Sequence, residues 1–114
     1  MNLFYEYDKV LYYECHVTTE PVFGARRDQL EAIANSLGFK LATLLMQRTL
    51  FGKSEPSAKD AFMTARVDAD DDVDLVVRMH LLLKALAEAK FQVYRYKIEA
   101  AMLDVRLPRE APHE

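Results

Sequence analysis

The sequence predicts an α+β domain built in the order strand, helix, strand, strand, helix, strand. Residues 11–18 and 60–67 alternate apolar and polar side chains with period two, which is typical of strands buried on one face. Residues 25–37 and 68–90 instead repeat apolar side chains at helical spacing. Hydrophobic residues make up 51% of the 114 residues, which is enough to bury the core of one domain.

The first strand and first helix follow directly from these two periods. In the strand, four apolar residues share one side, namely Leu11, Tyr13, Cys15 and Val17. Four mostly polar residues share the other, namely Tyr12, Glu14, His16 and Thr18. The helix has its apolar stripe at Leu30, Ile33, Ala34 and Leu37. Gly38 then predicts a helix end, because glycine readily adopts the left-handed conformation that closes a helix.

The second strand is predicted over residues 39–48, since little more than a tight turn separates this segment from the first helix. The segment also has fair helix propensity, so a helix that continues through Gly38 is the alternative. Residues 51–57 are polar and contain glycine and proline, which predicts a loop. Residues 3–7 form either an extra edge strand or an extension of the first strand.

The remaining elements complete the order. The third strand places Phe62, Thr64 and Arg66 on one side. The second helix starts within the acidic cluster of residues 68–74 and has five leucine and methionine residues on its core stripe: Leu75, Met79, Leu82, Leu83 and Leu86. The fourth strand, residues 93–102, places Arg95, Lys97 and Glu99 opposite its apolar residues. This order resembles the ferredoxin-like βαββαβ sandwich, in which two helices cover one face of a four-stranded antiparallel sheet. We expect one such domain over residues 1–106 and a flexible tail over residues 107–114.

Composition excludes several classes of function. The net charge of -3 argues against nucleic-acid binding, which requires basic surfaces, and the third strand lacks the basic-glycine-aromatic pattern of RNA-recognition domains. No apolar run is long enough to cross a membrane. The only cysteine, Cys15, excludes an intramolecular disulfide and favours a reducing, cytoplasmic location. Its place on the apolar side of the first strand predicts an unreactive core thiol.

The candidate site is the sheet face that the helices leave open. Five charged or titratable residues fall on that face: Glu14, His16, Arg66, Arg95 and Lys97. Arginine and histidine side chains suit a small anionic ligand, and Tyr12 and Phe62 add apolar contacts. The same face can instead mediate homodimerisation by covering the open face of a second copy. A third interpretation is that the face is an ordinary solvated surface, with cross-strand pairs of Glu14 with Arg95 or Lys97.

The alternative function is that of a small enzyme in which His16 acts as general acid or base while the arginines hold a phosphate or carboxylate substrate. The sequence contains no nucleophile motif and no metal-ligand spacing, so it predicts no catalytic residue, no metal and no cofactor. The acidic cluster lacks the glycine and the final glutamate of a calcium loop and is explained by helix capping. Arg26 and Arg27 are expected in a loop, with the first helix starting nearer Asp28. If they instead begin the helix, they can cradle an anion.

Overall fold

The computed structural model describes residues 9–42, 48–50, 53–55 and 60–108. For residues 48–50 and 53–55 it describes the backbone only. It has six strands and two α-helices in these ranges: β1 (Tyr12–Thr19), α1 (Gly24–Ser36), β2 (Lys40–Ala42), β3 (Arg48–Leu50), β4 (Lys53–Glu55), β5 (Ala61–Asp68), α2 (Asp72–Glu88) and β6 (Val93–Ala101). Four strands form one antiparallel sheet in the order β2-β5-β1-β6. The predicted α+β class, with a four-stranded antiparallel sheet and two helices, is confirmed.

β1 is central in this sheet, because it pairs along its length with β5 on one side and with β6 on the other. Its side chains alternate as predicted, and those of Cys15, Val17 and Thr19 are fully buried. Thr19 is the one polar residue of this buried row, and its hydroxyl donates to the carbonyl of Glu20 at 3.1 Å. This contact satisfies a polar group that would otherwise be costly to bury.

Both helices pack on the side of the sheet that carries the buried residues of β1. The core that joins them to the sheet includes the following side chains: Cys15, Val17, Leu30, Ala34, Phe39, Met63, Leu75, Leu82 and Leu86. α1 ends as predicted at Gly38, which has a φ of 76°. The amide of Gly38 donates to the carbonyl of Asn35, and that of Phe39 to the carbonyl of Ala34, in a Schellman motif. A helix continuing through Gly38 is thereby excluded.

Each helix is capped at its C-terminal end by an arginine of the other helix. Arg26 of α1 donates to the carbonyls of Ala89 and Lys90 at 3.0 and 3.1 Å, and its guanidinium lies 3.6 Å from the centre of the Phe91 ring. Arg78 of α2 donates to the carbonyl of Leu37 at 3.4 Å. A cation is favourable at the negative end of a helix dipole. The two helices therefore stabilise one another through polar contacts as well as through the core.

Several predicted boundaries were wrong. α1 begins at Gly24, so Arg26 and Arg27 lie in its first turn rather than in a loop before Asp28. Arg26 contacts the end of α2, which gives it a structural role and removes it from the predicted anion cradle. Within the described part of the predicted 39–48 segment, the second sheet strand is Lys40–Ala42 and Arg48 begins β3, while 43–47 lie outside the described residues. The separate hairpin of β3 and β4 replaces part of the predicted loop at residues 51–57.

Two predicted features lie wholly or mostly outside the described residues. The segment 3–7 is outside the described ranges, so both alternatives for it, an extra edge strand or an extension of the first strand, stay predictions. Most of the predicted tail, residues 109–114, is also outside them. Residues 103–108 have no regular secondary structure, and the side chains of Leu103, Val105 and Leu107 are exposed.

Two adjacent leucines of α2 allow a direct test of the core. Leu82 is 0% exposed and Leu81 is 48% exposed. Leu82→Ala should lower the free energy of unfolding by about 2 to 5 kcal/mol, because it removes buried methyl groups and leaves a cavity. Leu81→Ala should change it by no more than about 0.5 kcal/mol. Urea denaturation followed by circular dichroism measures both, and equal losses would contradict the assigned helix face.

The thiol of Cys15 should be unreactive in the folded protein. Burial raises its pKa to about 11, so little thiolate forms at neutral pH. We expect Ellman's reagent to label the native chain only at the rate of structural opening, and to label it at once in denaturant. The control is Cys15→Ala combined with Asp70→Cys, which moves the thiol to an exposed position and should react at once in both conditions.

Candidate functional site

The face of the sheet opposite the helices contains the charged residues of three strands in ordered cross-strand rows. Strand register places Thr18 between Phe62 and Arg95, and His16 between Thr64 and Lys97. The next row contains Glu14, flanked by Arg66 and Glu99. All six predicted binding residues therefore lie on this open face: Tyr12, Glu14, His16, Arg66, Arg95 and Lys97. Their role in binding remains a prediction.

One end of the open face is occupied by contacts within the chain. Arg66 donates to a carboxylate oxygen of Glu14 at 2.6 Å, which raises the pKa of the Arg66 guanidinium. The same guanidinium lies 4.0 Å from the centre of the Tyr12 ring. The Tyr12 hydroxyl donates to Asp104 at 2.9 Å. At this end, the cation already has a carboxylate and an aromatic partner, so it offers little to an external anion.

The middle of the face contains His16 in contact with groups on three strands. Its Nδ1 lies 3.1 Å from the hydroxyl of Thr64, and its Nε2 lies 3.2 Å from Glu14 and 3.4 Å from Glu99. The Nζ of Lys97 lies 2.5 Å from Glu99. The hydrogen bond and charge of Lys97 lower the pKa of Glu99, with smaller contributions from the charges of His16 and Arg95. Both nitrogens of the imidazole thus have partners in the protein.

The other end of the face has a shallow depression of about 210 Å³. It is lined by five side chains that combine an imidazole, a hydroxyl, an aromatic ring and two cations: His16, Thr18, Phe62, Arg95 and Lys97. Among the described residues, the guanidinium of Arg95 makes no ion pair or hydrogen bond. Its charge is therefore available to an anion in the depression.

The structure divides the predicted site into two groups. Tyr12, Glu14 and Arg66 lie at the paired end, whereas His16, Arg95 and Lys97 line the depression. The solvated-face interpretation expected Glu14 to pair across strands with Arg95 or Lys97, but Glu14 pairs with Arg66 of β5, and Lys97 pairs with Glu99 within β6. Thr18 belongs to the depression and was not among the predicted site residues, although its alternation with His16 in β1 places it on the same face.

A second concave surface lies on the other side of the sheet and was not predicted. It is a groove of about 540 Å³ between the end of α2 and β6, lined by these residues: Leu83, Ala87, Phe91, Val93, Tyr94, Arg95 and Tyr96. Tyr94 and Tyr96 belong to the residues of this strand that the alternation places opposite Arg95, Lys97 and Glu99, and they are 51% and 55% exposed. The helices therefore leave the outermost strand partly uncovered, which single-strand alternation cannot reveal.

Neither helix in the described part of the chain has the length and apolar character that a membrane span requires. The described side chains also contain no group of three or more histidine, cysteine, aspartate or glutamate residues arranged to hold a metal ion. The chain matches no protein-family model, and no curated protein or solved structure is similar to it.

The pairing of Lys97 with Glu99 makes a measurable prediction about titration. Lys97→Gln should raise the pKa of Glu99 toward its ordinary value, because the hydrogen bond from Lys97 is the main reason why this pKa is low. A lowered carboxyl pKa stabilises the fold above the unfolded-state pKa, and this contribution is lost as the pH falls through the folded-state pKa. The variant should therefore be less sensitive to acid than the wild type in this window.

Carbon-detected NMR of the Glu99 carboxyl group across an acid titration measures the shift. Lys84→Gln removes an equal charge from the exposed surface of α2 and serves as the control, with no effect expected on Glu99. An unchanged Glu99 pKa in Lys97→Gln would show that the contact between the two side chains does not persist in solution.

Proposed function

We propose that this protein is a non-catalytic binding module whose open sheet face holds a small anionic ligand in the depression beside Arg95. The observation that carries the proposal is an exposed arginine, Arg95, that makes no ion pair with another described residue and faces an exposed aromatic ring, Phe62, across Thr18. The Arg95 guanidinium offers a planar fork of donors that matches a carboxylate or phosphate. The Thr18 hydroxyl supplies a further donor, and Phe62 supplies an apolar wall.

The size and polarity of the depression narrow the class of ligand. A volume of about 210 Å³ suits a small molecule rather than a polymer. Two cations at one side and an aromatic ring at the other favour an organic acid or a phosphate ester with a small apolar group. Lys97 is shared with Glu99, so Arg95 is the residue on which we expect affinity to depend most.

A binding role agrees with the contacts of His16 better than an acid-base role does. A general base needs a ring nitrogen within hydrogen-bond reach of its substrate, directly or through one water. Nδ1 of His16 contacts Thr64, and Nε2 contacts Glu14 and Glu99. These contacts hold the imidazole as a positioning group at the edge of the depression. The small-enzyme alternative would require one of them to break.

We further infer that the architecture is ferredoxin-like and that the protein is cytoplasmic. The central placement of β1 and β5 supports the first inference, although the β3 and β4 hairpin is an addition to the simple βαββαβ order. The second rests on the single cysteine, Cys15, which forms no intramolecular disulfide and stays buried.

The binding proposal is tested by titrating the protein with benzoate, pyruvate and inorganic phosphate while recording its amide NMR spectrum. We expect at least one probe to shift the amides of Thr18 and Phe62 in a saturable way. Arg95→Gln should weaken that probe by about 10- to 100-fold, which corresponds to the loss of a charge-assisted hydrogen bond.

The matched control is Arg66→Gln, which removes the same charge from the paired end of the same face. It should bind the probe within about twofold of the wild type, because Arg66 lies outside the depression and already pairs with Glu14. Equal weakening in both variants would indicate general attraction to a basic surface and overturn the site. The absence of any saturable shift with all three probes would overturn it as well.

A further inference from the structure

The outer strand β6 has an apolar side that the fold does not cover. Tyr96 is opposite the fully buried Val17 in the register of β1, so its side chain lies on the helix side of the sheet. It is nevertheless 55% exposed, and its neighbour Tyr94 is 51% exposed. Together with Leu83 and Phe91 they line the apolar groove of about 540 Å³. Exposed aromatic surface of this extent is typical of a place where a partner binds.

The free edge of β6 is a second feature that suits a partner, because its backbone groups can form hydrogen bonds with another strand. β6 spans nine residues, Val93–Ala101, and within the described ranges it pairs only with β1. No other described strand pairs with its second edge, whose amide and carbonyl groups are thus unpaired by this part of the chain. Long, unprotected edge strands are templates for pairing with another strand.

We propose that β6 pairs with β6 of a second copy of this chain, antiparallel about a twofold axis, and so joins the two sheets into one. A twofold axis through Lys97 places Arg95 of each copy opposite Glu99 of the other, so the dimer contains two such pairs. The same register places Tyr96 opposite Ile98 of the second copy on the helix side. Opposite charges pair on the open face and apolar groups pair on the helix side, as stable cross-strand neighbours require.

Lys97 faces its own equivalent across this axis, which by itself would be unfavourable. Each Lys97 ammonium is already 2.5 Å from Glu99 of its own chain, however, and this contact offsets the repulsion. A carboxylate has two oxygens and can accept from both Lys97 and the arginine of the second copy.

The segment after β6 is consistent with the same arrangement. Leu103, Val105 and Leu107 alternate with Asp104 and Arg106 and are exposed. In an antiparallel β6 pair, the chain that follows β6 of one copy leaves beside the beginning of β6 of the other. That is where Phe91 and Val93 line the apolar groove. The exposed apolar segment and the uncovered groove are thus brought to the same end of the interface.

Association and anion binding both use Arg95 and should therefore compete. An Arg95 guanidinium that pairs with Glu99 of the second copy attracts an outside anion less, as Arg66 does when it pairs with Glu14. The pairing needs no ligand, and the two proposals can be tested separately by measuring association in the absence of the anionic probes.

The test uses charge reversal between copies. Sedimentation velocity of the wild type at increasing concentration should show a dimer. Arg95→Glu and Glu99→Arg should each weaken self-association by about tenfold or more, because each places like charges opposite one another at both pairs. Mixing the two variants should restore a dimer that contains one chain of each. In that dimer, the residues at positions 95 and 99 that face each other again have opposite charges. Native mass spectrometry distinguishes the mixed dimer from either homodimer.

Phe62→Lys is the matched control, because it adds charge to the open face away from β6. It should leave the dimer intact, with circular dichroism confirming that every variant is folded. A wild type that remains monomeric at its highest soluble concentration would overturn the proposal. If Phe62→Lys abolishes the dimer, the proposal is overturned in favour of association through the open faces. If the two charge-reversal variants form no mixed dimer, the pairing of Arg95 with Glu99 is overturned.

Discussion

The central position of β1 is the constraint on which the rest of the structure depends. The strand is paired on both edges, and one of its faces is buried beneath both helices at Cys15, Val17 and Thr19. With both edges and one face used, only the face with Tyr12, Glu14, His16 and Thr18 remains open. Because neighbouring strands follow the same alternation, the basic and acidic residues of β5 and β6 are brought to that face in rows.

Most charges on the open face are paired with one another, which limits the part of the face that can attract an anion. Glu14 pairs with Arg66, and Glu99 pairs with Lys97. Such exposed pairs add little stability, but they lower the attraction of the face for outside anions. Arg95 is the exception, because its neighbour on β1 is Thr18 rather than a carboxylate. Its position at the outer edge also makes it available to a second chain.

Regular alternation explains why some elements were predictable and others were not. β1, β5 and α2 each sustain one period over at least two turns or pleats, so their buried residues could be assigned before the structure was known. Residues 39–48 have no such period, and Lys40–Ala42 is the part of this segment that the structure describes as joining the four-stranded sheet. The contacts of Arg26 and Arg78 were unpredictable for a different reason. Each side chain reaches the end of the other helix, 41 or more residues away in sequence.

The α+β class, the buried faces of β1 and β5 and the set of residues on the open face all follow from the amino-acid pattern alone. These depend on local periodicity, which a single segment carries within itself. The pairing of the charges, the position of the depression and the extent to which the helices cover β6 are properties of the folded chain. These depend on the register between strands and on the width of the helix layer, and both are set by contacts between distant parts of the chain. Tyr96 shows the difference, since its position in β6 marks it as core-facing while the packing of α2 leaves it exposed.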